Sequence, residues 1–124
     1  MQKIMQSILL LNPDDRPFEI EAIQHVFQSE PGFRDVRFNE PGGVGIEADY
    51  VEPEDWTIVG LCGSRKSISL SGTTDAALRA ALILQKNLNT PLRMVDTDYS
   101  FDLILQNIPN VETLRNAIQN SQTN

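Results

Sequence analysis

The stretch VGIEADYVEPEDWTIVGLCGSRKSISL, residues 44–70, decides the fold class. Between residues 46 and 50 apolar and polar side chains alternate, which is the period of a half-exposed β-strand. Turns rich in Gly, Pro and charged residues divide the stretch into three strands, predicted at 44–51, 56–62 and 67–70. Turns this short connect antiparallel neighbours, so the stretch predicts an antiparallel sheet.

Helical patterns lie on both sides of this stretch. Apolar residues recur at three- and four-residue spacing over residues 17–29 and 74–88, and Asn110 is placed to cap a third, short helix. Further strands are predicted at 3–11, 33–38, 92–95 and 99–106. The resulting order, β-α-β-β-β-β-α-β-β-α, predicts an α+β fold with helices packed on a largely antiparallel sheet.

The length and composition predict one soluble domain. A chain of 124 residues fits a single core, so residues 1–124 are assigned to one domain whose polar tail, residues 120–124, is expected to fray. No segment has the roughly 18 apolar residues of a membrane span, and no signal peptide is recognised. The single cysteine excludes an intramolecular disulfide. A cytoplasmic protein with no membrane partner is therefore expected.

The charge balance favours a basic protein partner over nucleic acid. Seventeen acidic residues against ten basic ones give a net charge of −7, which opposes binding to a phosphate backbone. A basic protein would instead be steered toward such a surface. An acidic balance also serves solubility alone, so it does not identify a partner.

The segment from Ser71 to Thr74, before the second long helix, has the layout of an anion site. Free N–H groups at a helix start attract phosphate, and Gly72 permits a close approach. However, no lysine follows the turn, and Asp75 already places a carboxylate in the first helical turn. Thr73 or Thr74 as N-cap explains these residues as an ordinary helix start.

No catalytic residue, metal ligand set or cofactor motif is predicted. His25 is the only histidine and falls beside the polar side of its helix. Cys62 ends an apolar strand, which predicts a small buried residue whose thiolate is disfavoured. No serine lies in a nucleophile elbow.

Carboxylates form two clusters. Five fall within nine residues, namely Glu47, Asp49, Glu52, Glu54 and Asp55. Three fall within seven, namely Asp96, Asp98 and Asp102. Neither matches a calcium-binding loop. The simplest interpretation of the first cluster is solvated surface. The alternative is a protein-binding patch with Tyr50 or Trp56 as aromatic anchor.

Two classes of function follow. The first is a non-catalytic acidic protein-binding module, most concretely an immunity or inhibitor protein that covers the basic active site of a bacterial toxin or nuclease. Its predicted contact residues are Glu47, Asp49, Tyr50, Glu52, Glu54 and Asp55. The second is a small enzyme or a ligand- or anion-binding domain that uses Asp96, Asp98 and Asp102 or the Ser71–Thr74 helix start. A homodimer without any ligand is a third possibility.

Overall fold

A computed structural model describes residues 7–39 and 45–122 of the chain. Three segments therefore lie outside the described residues: 1–6, 40–44 and 123–124. They include the beginning of the first predicted strand, Val44 at the start of another, and the end of the tail that was predicted to fray.

Seven strands and three helices make up the described chain. In order they are β1 (Ser7–Leu11), α1 (Ile20–Ser29), β2 (Phe33–Asn39), β3 (Gly45–Glu52), β4 (Asp55–Leu61), β5 (Ser67–Ser71), α2 (Asp75–Asn87), β6 (Arg93–Asp96), β7 (Asp102–Ile104) and α3 (Val111–Gln122). A short 3₁₀ segment, Pro13–Asp15, precedes α1. The predicted order of strands and helices is confirmed.

The strands form one sheet in the order β2-β3-β4-β5-β1-β6-β7. Every pair of neighbours is antiparallel. The hairpins around residues 44–70 place β3, β4 and β5 side by side, as the sequence predicts. β1 then enters between β5 and β6, so β5 is the fourth of the seven strands and lies at the middle of the sheet.

The two faces of the sheet differ. One face joins all three helices in a single hydrophobic core, with side chains such as Leu10, Ile46, Leu61 and Ile68 fully or almost fully buried. The opposite face carries no helix within the described residues. We call it the open sheet face, and its central row of cross-strand neighbours is Arg37, Glu47, Gly60, Ser69, Leu9, Val95 and Asp102.

Three predicted boundaries need correction. The first helix, predicted from residue 17, begins at Ile20, because the backbone of Glu19 is extended. The strand predicted at 99–106 is limited to β7, because the chain turns tightly before it: the backbone N–H of Tyr99 donates to the carbonyl of Asp96, and that of Ser100 donates to the Asp96 carboxylate. At the end of the chain, α3 continues to Gln122. Part of the tail that was predicted to fray is therefore helical.

A stacked pair of aromatic rings, with a third ring tilted against it, lies in the core beneath α1. The ring centroids of Phe27 and Phe33 are 5.2 Å apart, and those of Phe33 and Tyr50 are 4.9 Å apart. Gly32 lies against this stack with φ of +97°, and a Cβ added to it would stand 2.8 Å from Tyr50 Cε1. Glycine is required here both by the backbone angle and by the neighbouring ring.

Replacing Gly32 should therefore cost more than replacing a glycine with a similar angle and free space. Gly72 is the matched control, since its φ is +77° and no atom lies within 4 Å of an added Cβ. We expect Gly72→Ala to lower the free energy of unfolding by about 1–2 kcal/mol through backbone strain. Gly32→Ala should lower the free energy of unfolding by roughly 1–3 kcal/mol more than that, because the added methyl group overpacks against the Tyr50 ring. Urea denaturation measures both, and equal losses would contradict the ring contact.

Candidate functional site

The β3–β4 turn meets the start of α2 and one side of α3 in an open concavity. We call this site the acidic cleft. Its volume is about 590 Å³, and its charged lining consists of Glu52, Glu54, Asp55, Asp75, Arg79 and Arg115. Three of the predicted contact residues thus share one site with Thr74 of the predicted helix start. The two arginines were not predicted from the sequence.

Asp55 fills the anion position at the start of α2. Its Oδ2 accepts a hydrogen bond of 3.0 Å from the backbone N–H of Ala76, and its Oδ1 accepts one of 2.8 Å from Trp56. Hydrogen bonds from the N–H of Ala76, the Thr74 side chain and the N–H of Trp56 together lower the pKa of Asp55, against the opposing effect of burial. Thr74 is the N-cap by position, but its side chain does not cap the helix. The helix start therefore holds a carboxylate of its own chain.

Two ion pairs cross the acidic cleft. Arg79 of α2 pairs with Glu52 of β3, and Arg115 Nε of α3 lies 2.8 Å from Asp75 Oδ1. These pairs tie the β3–β4 turn and α3 to α2. The lining contains four carboxylates and two guanidinium groups, so it keeps an excess of negative charge. Glu54, exposed at the turn, makes no hydrogen bond or ion pair with the described residues.

Glu47 and Asp49 lie away from the acidic cleft, on the open sheet face. Both are bound by Arg37 of β2: Arg37 Nε donates to Glu47 over 2.7 Å, and Arg37 Nη2 donates to Asp49 over 3.1 Å. Alternation along β3 sends them to the face opposite Tyr50 and Ile46, as predicted. The predicted contact set is therefore divided between two faces of the sheet, and Arg37 balances part of its charge.

The position of Tyr50 corrects its predicted role as a partner anchor. Its side chain is only 5% exposed and packs in the aromatic core. Its hydroxyl donates to Glu52 over 3.1 Å, and burial, followed by the charge of Glu52, raises the pKa of Tyr50 to about 12. Trp56, the other aromatic residue considered, is 59% exposed, and its register with Val51 places it on the open sheet face.

The second carboxylate cluster does not converge. Asp96 is 1% exposed, lies opposite Ile8 on the helix-covered face, and accepts hydrogen bonds from Ser100. Asp102 lies on the open sheet face, where two hydrogen bonds from Arg93 lower its pKa. Asp98 is in the exposed turn between the two strands. Asp96 thus shapes a turn and Asp102 forms an ion pair.

Cys62 is not the buried core residue that the sequence predicts. It is partly exposed, one residue after β4, where Ser64 Oγ lies 3.1 Å and Ser67 Oγ lies 3.3 Å from its sulfur. Burial alone would raise the pKa of the thiol. Hydrogen bonds from these hydroxyls and from the backbone N–H groups of Ser67 and Lys66 outweigh burial and lower it to about 6. The thiolate is thus favoured at neutral pH.

Within residues 7–39 and 45–122, no group of three or more His, Cys, Asp or Glu side chains is arranged to hold a metal ion. No helix in the same part of the chain has the length and apolar composition needed to cross a membrane. No protein-family model matches the chain, and neither a curated protein nor a solved structure is significantly similar to it.

Removing the Asp55 carboxylate should weaken the start of α2. We expect Asp55→Ala to lower the free energy of unfolding at pH 7 by about 1–2 kcal/mol, the range for loss of a helix cap. Because the folded pKa is depressed, the stabilisation is complete above the unfolded value of about 3.9 and is lost as pH falls through the lower folded value. The matched control is Glu54→Ala, expected within about 0.5 kcal/mol of the parent. Equal effects in urea titrations at neutral pH would argue against the cap.

Cys62 should react with iodoacetamide at unusually low pH. The labelling rate should rise with a midpoint near the pKa of about 6, because the thiolate is the reactive form, whereas an ordinary thiol has its midpoint near pH 8.5, roughly. Replacing Ser64 and Ser67 by alanine removes the two hydroxyl donors and should move the midpoint upward. A native midpoint near that of a free cysteine would contradict these hydrogen bonds.

Proposed function

We propose that the protein is a non-catalytic, acidic protein-binding module that receives a basic partner at the acidic cleft. The observation that supports this most is the uneven distribution of charge over the two faces of the sheet. Among the residues with a cross-strand partner, the open sheet face carries three arginines and three carboxylates, whose charges balance: Arg34, Arg37, Arg93, Glu47, Asp49 and Asp102.

The helix side and the loops consequently carry the negative charge of the molecule. Lys3 and Glu40, the charged residues outside the described part, cancel each other. The net charge of −7 therefore arises outside this balanced set of six residues. A cationic surface approaching from solution would be steered toward the helix side, and electrostatic complementarity of this kind raises association rates and selects partners.

The acidic cleft is an open, shallow concavity on that side. Its ion pairs hold Glu52 and Asp75 in place without neutralising the whole lining, and Glu54 stands exposed at the rim. A lysine or arginine of a partner can pair with Glu54 without breaking an existing contact among the described residues. Glu54 is thus the carboxylate best placed for a first contact.

The most concrete form of this proposal is an inhibitor or immunity protein of a toxin or nuclease, acting in the cytoplasm. An enzyme that binds nucleic acid presents a basic active site, and carboxylates can occupy the positions that phosphates would take. The acidic cleft, with its excess of carboxylates, agrees with such a role. The alternative, a small enzyme or a ligand- or anion-binding domain, has no comparable support. Asp96 and Asp102 lie on opposite faces of the sheet, and Asp55 already occupies the start of α2.

Charge reversal tests the proposal. The native chain, Glu54→Lys and the matched variant Glu21→Lys are immobilised and compared for capture of proteins from the source cells, and the captured partner is then purified for titration. Glu21 is exposed on α1 outside the acidic cleft, so both variants change the net charge equally. We expect the Kd to rise about tenfold or more in E54K alone, and the native affinity to fall with salt.

A partner that binds both variants with equal affinity would exclude the acidic cleft. A captured partner that is acidic, or whose affinity is independent of salt, would contradict the proposed charge complementarity. If the partner is a nuclease or toxin, its activity should fall in proportion to the complex formed, and E54K should inhibit about tenfold less well at a given concentration.

A further inference from the structure

We infer that the open sheet face is a self-association surface and that two copies of the chain pack these faces together. This inference concerns a different surface from the acidic cleft and does not depend on the proposed function.

The central row of the open sheet face is charged at its ends and uncharged in its middle. Arg37 and Glu47 stand at the β2–β3 side, and Asp102 at the β7 side. Between them lie Gly60, Ser69 and Leu9 on three consecutive strands, whereas Val95, the next residue in the row, is fully buried. A sheet face that is exposed to solvent usually carries polar residues over its whole area. An uncharged centre within a charged rim is instead the anatomy of a protein interface.

Small and apolar side chains share this centre. Ser69 pairs with Gly60 on one side and with Leu9 on the other, and Ile58 lies beside them, with its N–H bound to Ser71 Oγ. Small residues allow a second sheet to approach to the usual spacing of about 10 Å, while leucine and isoleucine supply apolar area to bury. Trp56 adds a large exposed aromatic surface to the same face.

The balanced charge of the open sheet face favours a second copy of the chain as its binding partner. The chain as a whole is strongly acidic, so most pairs of its surfaces repel each other. The open sheet face, with its balanced charges, can meet its own copy without bringing an excess of like charge together. Its charges are also already arranged in pairs, since Arg37 binds Glu47 and Arg93 binds Asp102. A strongly basic partner would find no excess of negative charge there.

The size of the face is sufficient for a modest dimer. Strands β1 to β5 together hold 32 residues, and at about 3.4 Å per residue and 4.8 Å per strand they span about 500 Å² for each copy. Two such faces bury about 1,000 Å², which is the lower limit for a specific interface. A dissociation constant in the micromolar range is therefore expected.

The middle strand fixes how the two copies align. Since β5 is the fourth of seven strands, a two-fold axis over β5 superimposes the uncharged centre of one copy on that of the other and makes each contact occur twice. Ser69 is the central residue of β5 and is exposed. The two Ser69 side chains consequently lie near the axis, and a charge placed there is brought close to its symmetry mate.

Sedimentation equilibrium over a dilution series of roughly 1–300 µM tests this inference, a range that brackets the expected affinity. The native protein should change reversibly from a monomer of 13.9 kDa to twice that mass. Ser69→Arg should raise the dimer Kd about 100-fold through repulsion at the axis. Gln28→Arg adds the same charge on the exposed side of α1 and should leave the dimer intact. Mixing S69R with Ser69→Asp should restore association.

Trp56, the only tryptophan, provides an independent readout in the native protein. Because it lies on the open sheet face, its fluorescence should shift to the blue and its quenching by acrylamide should fall as the dimer fraction rises. This measurement decides the matter even if S69R fails to fold, as judged by circular dichroism. A native protein that stays monomeric over the whole range overturns the inference. So does a dimer that S69R weakens no more than Q28R, or one whose formation leaves Trp56 emission unchanged.

Discussion

A single layer of helices covers one face of an antiparallel sheet, and the rest of the structure depends on this constraint. Side chains alternate between the two faces along the central strands, so the cross-strand row of Ile46, Leu61, Ile68, Leu10 and Met94 lies under the helices and is fully or almost fully buried. Because the period of a strand is two, a slip of one residue would move this entire set to the opposite face. The burial of the core therefore fixes the register of every central strand.

The same alternation sorts the charges. Asp55 and Glu52 pair across the β3–β4 turn and lie on the helix side, where the start of α2 donates a hydrogen bond to Asp55 and Arg79 forms an ion pair with Glu52. Glu47 and Asp49 lie on the other face, where Arg37 binds them. Carboxylates that lie within nine residues of one another in the sequence thus belong to two different surfaces. The acidic cleft on one side and the balanced open sheet face on the other are both consequences of one register.

The sequence predicts the order of elements and the direction of side chains well, because both follow from local periodicity. It could not predict the ion pairs, since Arg79 and Arg115 come from helices distant in the chain. Asp55 likewise caps a helix that starts 20 residues later, whereas local rules indicate only Thr73 or Thr74. Cys62 was misjudged because it lies one residue beyond β4, where the turn rather than the strand sets its surroundings.

The two proposed surfaces are compatible because they lie on opposite sides of the sheet. In the proposed dimer the two sheets are about 10 Å apart, and a helix layer about 10 Å thick lies outside each of them. The acidic helix sides would then be separated by about 30 Å, several times the Debye length of about 8 Å at physiological ionic strength. Screening at that distance removes most of the repulsion between two acidic copies. Dimerisation would leave both acidic clefts facing solvent in opposite directions, so each could receive its own basic partner.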